Sequence, residues 1–163
     1  MAIRPKLVIL DEPVSALDVS VRAQLMNLLV DLQQELRLTY IVVAHDLAVV
    51  RHMCNRIAVM YLGRIVEYGD TEAIYDRPLH PYTLGLIKSI PSIDGERADR
   101  LYVIEGMVPL LSQIPQGCRF GPRCPYATER CHEEMPELVE QAGTGQKVRC
   151  WNLAQVHSGQ EVE

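Results

Sequence analysis

Three groups of residues in this 163-residue chain could do chemistry. The first is Asp11-Glu12, two neighbouring carboxylates directly after the apolar run Leu7-Val8-Ile9-Leu10. Adjacent strand residues point to opposite faces, so the two acids can do different jobs. One can hold a hydrated Mg2+, a hard cation that takes oxygen ligands. The other can orient or deprotonate a water that attacks a phosphoryl group. A solvated acidic turn at the end of a strand would read the same way. The second group is His45-Asp46, 34 residues after Asp11. An imidazole can donate a hydrogen bond to a phosphate oxygen at neutral pH, or simply cap a strand. The third is Cys118, Cys124, Cys131 and Cys150, spaced Cys-x5-Cys-x6-Cys-x18-Cys. Four thiolates suit tetrahedral Zn2+ or an iron–sulfur cluster. Two disulfides in any of three pairings, or four free thiols, are the other options. No Cys-x2-Cys knuckle is present, so spacing alone separates these options weakly.

The elements that must position these groups follow from apolar periodicity. Leu7–Leu10 and Ile41–Ala44 are short continuous apolar runs, expected as parallel strands buried on both faces. Between them Val21, Leu25, Leu28, Leu29, Leu32 and Leu36 recur at helical spacing, with Asp18 or Ser20 as N-cap. A short helix is predicted over 47–53. Ile57–Tyr61 and Arg64–Tyr68 flank Gly63 and read as a hairpin. Strand, helix, strand, helix, strand is α/β grammar, and acids at the carboxyl end of a strand lie where open α/β sheets bind ligands. Short helices are predicted over 70–75 and 82–90, and a charged linker over 94–100. Eight of the ten prolines lie at or beyond Pro78, so the second half is turn-rich.

The segment Leu7-Val8-Ile9-Leu10-Asp11-Glu12-Pro13-Val14-Ser15-Ala16-Leu17-Asp18 resembles the Walker B motif and D-loop of ATP-binding cassette (ABC) ATPases. Val43-Ala44-His45-Asp46 resembles their switch-histidine loop. Val14 stands where the wider superfamily commonly has threonine. The resemblance implies that Asp11 binds Mg2+ through water and that Glu12 is the catalytic carboxylate. It implies that Ser15 through Asp18 cross an interface between two nucleotide-binding domains, and that His45 contacts the γ-phosphate. His80-Pro81-Tyr82-Thr83, Gly106-Met107-Val108-Pro109 and Gly117-Cys118-Arg119-Phe120-Gly121-Pro122-Arg123-Cys124-Pro125-Tyr126-Ala127 are similar to the region after the core in oligopeptide and dipeptide importer ATPases. In that subfamily the four cysteines accompany a [4Fe–4S] cluster, favoured here over Zn2+, with a structural role. Phe120 and Trp151 are expected to pack beside it. His132 and His157 are possible substitute ligands, expected at the surface. Cys54 is expected to be an ordinary buried thiol.

The implied fold is a partial P-loop NTPase sheet of α/β class with a small irregular Cys-rich appendage. The implied boundaries are 1–76 for the nucleotide-binding part, 77–105 for connecting helices and linker, 106–153 for the four-Cys region and 154–163 for a tail. The implied ligands are ATP and Mg2+. The implied partners are a second ATPase subunit, identical or homologous, and membrane permease subunits, at the cytoplasmic face of the cell membrane. The implied task is to energise peptide import. The phosphate-cradling loop Gly-x-x-x-x-Gly-Lys-[Ser/Thr] is not in the sequence, since none of Lys6, Lys88 and Lys147 follows a glycine. The glutamine loop and signature helix belong before the first strand, and Ala2–Pro5 resembles only the tail of that helix. Ser158-Gly159-Gln160 lies in the wrong place to be a signature. The chain is therefore expected to be the C-terminal part of a longer subunit, poorly stable alone and weak or inactive in ATP hydrolysis. The alternative is a non-enzymatic, metal-stabilised regulatory or interaction module.

Composition fits these readings. The chain is 48% hydrophobic and 23% charged, like ordinary globular proteins, with 16 basic and 21 acidic residues and a net charge of −5. That balance, without a basic stripe, argues against nucleic acid as a partner. No apolar run nears the ~18 residues of a membrane span, and the N-terminus has no apolar signal region. A cytosolic chain with reduced or metal-bound cysteines is expected.

Overall fold

The computed structural model describes residues 5–90 and 102–153. The expected linker over 94–100, the Ala2–Arg4 exit turn, His157, Ser158–Gln160 and the 154–163 tail lie outside the described residues. The chain divides into two compact units, Met1–Asn55 and Arg56–Glu163. The expected boundary at 76/77 falls inside the second unit.

The first unit is β1 (Leu7–Asp11), α1 (Val19–Leu36), β2 (Thr39–Val43) and α2 (Leu47–Met53). β1 and β2 pair in parallel, with Leu7 opposite Thr39 and Asp11 opposite Val43. The Asp18 carboxylate caps α1 by accepting from the Val21 N–H at 3.0 Å, satisfying one donor of the first turn. α1 ends where Arg37 turns left-handed (φ 51°) and its N–H reaches Gln33 O. Val14, Val49 and Met53 form the buried centre, with Leu10, Leu17, Leu25, Met26, Leu29, Val30, Tyr40 and Cys54 packed around it. Cys54 is thus half-buried, and burial pushes its thiol pKa up.

The strands are not buried on both faces as their apolar runs predict. Leu7, Ile9, Ile41 and Val43 are exposed on one face of the two-stranded sheet. The other face carries Leu10 and Tyr40 into the helix contacts. A continuous apolar run reports what a strand can bury, not what lies over it.

In the second unit β3 (Arg56–Tyr61) and β4 (Arg64–Asp70) form the expected hairpin. Leu62 and Gly63 both have positive φ (45° and 74°), the combination a tight hairpin turn needs. β3 belongs to an antiparallel four-stranded sheet, in the order β3, β4, Lys147–Val148, Val139–Glu140, and not to the parallel pair. α3 (Thr71–Asp76) and α4 (Pro81–Lys88) follow the hairpin. Pro81 opens α4 at a position where its missing N–H costs nothing. Later come α5 (Glu129–Glu133), β5 (Val139–Glu140) and β6 (Lys147–Val148). β6 lies against β4, with Lys147 opposite Tyr68, so the cysteine-bearing stretch and the hairpin share one sheet.

This core is aromatic and partly polar. Phe120 is buried against the Tyr61, Tyr82 and His80 rings, at centroid distances of 5.4, 5.5 and 5.7 Å. Glu67 is wholly buried and accepts from the Leu79 and His80 N–H groups at 2.7 and 3.0 Å. Buried Gln146 donates to the Ala73 and Arg77 carbonyls at 3.2 and 3.1 Å. These polar side chains serve backbone groups that the short helices and turns leave over. Among the described residues no helix is long and apolar enough to cross a membrane.

Candidate functional site

In the first unit the parallel register brings the carboxyl ends of β1 and β2 to one rim. Asp11 closes β1 there. Glu12 follows with φ 45°, while its N–H donates to Val43 O at 2.8 Å. Glu12 Oε1 lies 3.1 Å from His45 Nδ1. Both side chains are well exposed, 50% for Glu12 and 72% for His45. An exposed pair of this kind contributes about 0–1 kcal/mol. A left-handed non-glycine residue costs about 1–3 kcal/mol. The contact therefore does not offset the conformation that creates it.

Two turns frame this pair. Ser15 Oγ donates to Glu12 O at 3.1 Å, and the Ser15 N–H reaches the same oxygen at 3.3 Å. Asp18 accepts from Val21 N and from Ser20 Oγ (2.8 Å), and these bonds hold its carboxyl below the ordinary range, the Val21 bond most. Asp46 caps α2 through the Ala48 and Val49 N–H groups. Its second oxygen takes Arg22 Nη1 at 2.8 Å, and Arg22 Nη2 reaches Leu17 O at 3.4 Å. Arg22 thus links the 15–18 turn to the residue after His45. No sequence spacing singled Arg22 out, because a basic residue in an amphipathic helix reads as a solvated face. A crevice of about 20 Å3 is lined by Glu12, Ser15, Arg22, His45 and Asp46 among others.

In the second unit the four sequence-predicted cysteines are free thiols in one neighbourhood. Cys118 donates its N–H to Cys131 O at 2.8 Å, and Cys131 is buried in α5. Cys124 follows the 3-10 turn Gly121–Arg123. Cys150 follows Arg149, which donates to the Val66, Ile65 and Pro136 carbonyls at 2.8, 2.9 and 2.7 Å. Burial pushes the Cys124 thiol up to about 12 and Cys150 to about 11, and the charges of neighbouring thiols add to both shifts. Burial likewise raises Cys118. Deprotonating any of them without a cation is therefore unfavourable.

Among the described residues no three His, Cys, Asp or Glu side chains gather around a point that one metal ion could occupy. A single Zn2+ draws its sulfurs to about 2.3 Å from one centre. The described residues form no such single-ion centre. Four free thiols without a disulfide are the donor type that zinc and iron–sulfur sites share. Trp151 lies under the Arg130 guanidinium, 3.5 Å from its ring centroid. Phe120 belongs to the aromatic core. His132 is exposed, as expected.

Residues 66–131 match the family model described as oligopeptide/dipeptide transporter, C-terminal region. The chain is 51% identical over 150 residues to a probable peptide ABC transporter ATP-binding protein, y4tS, of Sinorhizobium fredii, covering 92% of this chain and 42% of that protein. It is 49% identical to the di/tripeptide transport ATP-binding protein DppF of Pseudomonas aeruginosa, over 85% of this chain and 43% of that one. It is 46% identical to the dipeptide transport ATP-binding protein DppF of Haemophilus influenzae, over 91% and 45%. A solved structure of cbiO1 from Clostridium perfringens, part of the ABC transporter complex cbiONQ, aligns over 44% of this chain and 29% of its own at TM-score 0.41 and 38% identity. The chain spans less than half the length of the curated relatives it matches. Across most of its residues the chain is thus similar to part of the peptide and dipeptide ABC transporter ATP-binding proteins.

Proposed function

We propose that this chain supplies the hydrolytic rim of an ATP-binding subunit that energises peptide import. The observation that carries this reading is the Glu12–His45 contact at the shared end of two parallel strands. The left-handed backbone at Glu12 supports it, because such strain clusters at functional sites. In this reading Glu12 orients or deprotonates the attacking water. His45 lies against Glu12 and contacts the γ-phosphate. Asp11 holds Mg2+ through water, and the ion supplies charge neutralisation on the phosphates when bound. Ser15 through Asp18 face a second ATPase subunit, identical or homologous. Permease subunits at the cytoplasmic face of the membrane receive the work.

The crevice beside Glu12 is far smaller than the ~300–1,000 Å3 of ordinary ligand sites. A nucleotide therefore needs walls beyond those this rim provides, in keeping with a sequence that lacks a phosphate loop. The fold in this reading is part of a P-loop NTPase sheet. The four cysteines of the second unit hold an iron–sulfur cluster that clamps a region with little core of its own.

The test joins residues 5–153 to the preceding half of the 49%-identical relative and measures ATP hydrolysis. The chimera is expected to turn over ATP. Glu12→Gln is expected to lower kcat by roughly 10²–10⁴, the usual contribution of a positioned base, while nucleotide binding persists. A Glu12→Gln chimera that hydrolyses ATP at the parental rate removes Glu12 from the chemistry.

A further inference from the structure

Asn152 lies two residues beyond Cys150, and nothing in the spacing of the cysteines marks it. Its backbone N–H donates to Cys150 Sγ at 3.3 Å. Its side-chain Nδ2 donates to Tyr126 O at 2.7 Å, to Cys131 Sγ at 3.3 Å and to Thr128 Oγ1 at 3.4 Å. Thr128 Oγ1 is itself 3.5 Å from Cys131 Sγ. One residue therefore bonds two of the four sulfurs and the main chain two residues past Cys124.

We propose that Asn152 is a positioning residue of the four-thiol site, holding the Cys131 and Cys150 sulfurs as ligands and donating N–H groups to them. The proposal rests on the reading that these cysteines hold an iron–sulfur cluster. Hydrogen bonds to ligand sulfurs favour the more negative, reduced cluster and so raise its potential. Asn152→Ala removes the Nδ2 donor to Cys131 and the tie to Tyr126, and leaves the backbone donor to Cys150 in place. Asn152→Asp removes the same donor and adds negative charge.

The experiment uses the whole chain, purified anaerobically and reconstituted with iron and sulfide. Bound iron, acid-labile sulfide, visible absorbance and reduction potential are measured for the wild type, Asn152→Ala, Asn152→Asp and Asn152→Gln. The wild type is expected to hold iron and sulfide. Asn152→Ala is expected to have a more negative potential and several-fold faster bleaching in air. Asn152→Asp should move further in the same direction, and Asn152→Gln, which keeps an N–H donor, should recover part of the loss. Complete loss of iron from Asn152→Ala, with the unfolding midpoint of the iron-free chain unchanged, also supports the role. A wild type that holds iron alongside an Asn152→Ala variant of unchanged potential and lifetime overturns the Asn152 role alone. A wild type that holds no cluster, or holds only zinc, overturns the cluster reading and the Asn152 role with it.

Discussion

Replacing Gly117 by alanine is expected to unfold the cysteine-bearing part of the second unit. A Cβ at this position would sit 2.5 Å from the Cys131 carbonyl oxygen and 2.6 Å from the carbonyl carbon and oxygen of His132. All three atoms are backbone, so no side chain can rotate away. The only relief is to move α5 off the 117–118 segment, which breaks the Cys118 N–H to Cys131 O bond. Overpacking against mobile side chains costs about 1–3 kcal/mol. A clash with three main-chain atoms belongs at or above the top of that range. Against a total stability of about 5–15 kcal/mol, such a loss is large. Gly143 provides the control. Its φ is +76° and nothing stands within 4 Å of its Cβ position, so Gly143→Ala should cost only the left-handed penalty of about 1–2 kcal/mol. Urea unfolding followed by the fluorescence of Trp151, the single tryptophan, checks both variants. A Gly117→Ala midpoint no lower than that of Gly143→Ala sinks the steric argument.

Acid should destabilise the second unit through His80. The ring is almost fully buried, and burial lowers its pKa from 6.5 to about 3. Nδ1 accepts the Tyr82 N–H at 3.1 Å, so the neutral ring caps α4 with that nitrogen unprotonated. A group with a depressed folded pKa contributes stability that is complete above its unfolded value. That stability drains away as pH falls toward the folded value. The window therefore runs from about 6.5 down to 3. Integrated over that span at 1.36 kcal/mol per unit, the loss is at most about 4–5 kcal/mol. Glu67 acts in the opposite direction. Burial raises its carboxyl, so its contribution is present below the ordinary glutamate range and is lost as pH rises through its folded value. The variant that isolates histidine is His80→Asn, since asparagine is also a good N-cap. It should start from lower stability yet show a flatter decline between pH 6.5 and 4.5, read by the same Trp151 signal. An undiminished acid slope in His80→Asn would exonerate the ring.

Much of the secondary structure was legible because it is local. The 7–10 and 41–44 runs, the period of Val21, Leu25, Leu29 and Leu36, and the Leu62-Gly63 turn each carry their own signal, and the observed elements fall within a few residues of the expected ones. Helix α4 begins at Pro81 and ends at Lys88, slightly earlier than the predicted 82–90. At the rim, Asp11, Glu12 and His45 were legible as residue types at the ends of two strands, and the register brings Glu12 and His45 into contact. What could not be read is what depends on distant partners. β6 is two residues long and has no periodicity, so nothing in Lys147-Val148 announces a strand beside β4. Glu67 and Gln146 look like surface residues by type and are buried only because turns far along the chain need their hydrogen bonds. Arg22 and Asn152 escaped for the same reason.

The pairing of β6 with β4 also bears on how the protein is made. Arg149, just past β6, donates to Ile65 O from 84 residues away, and its N–H takes Val66 O. A ribosome releases the hairpin long before it releases that closing strand. Until then Val66 and Glu67 have no lid, and the nascent polypeptide carries an open edge of the sort that recruits neighbours. The parallel pair of the first unit is closer along the chain, with Leu7 opposite Thr39 and Asp11 opposite Val43. Emergence should therefore be staged, with the short-range pair forming before the hairpin meets its closing strand.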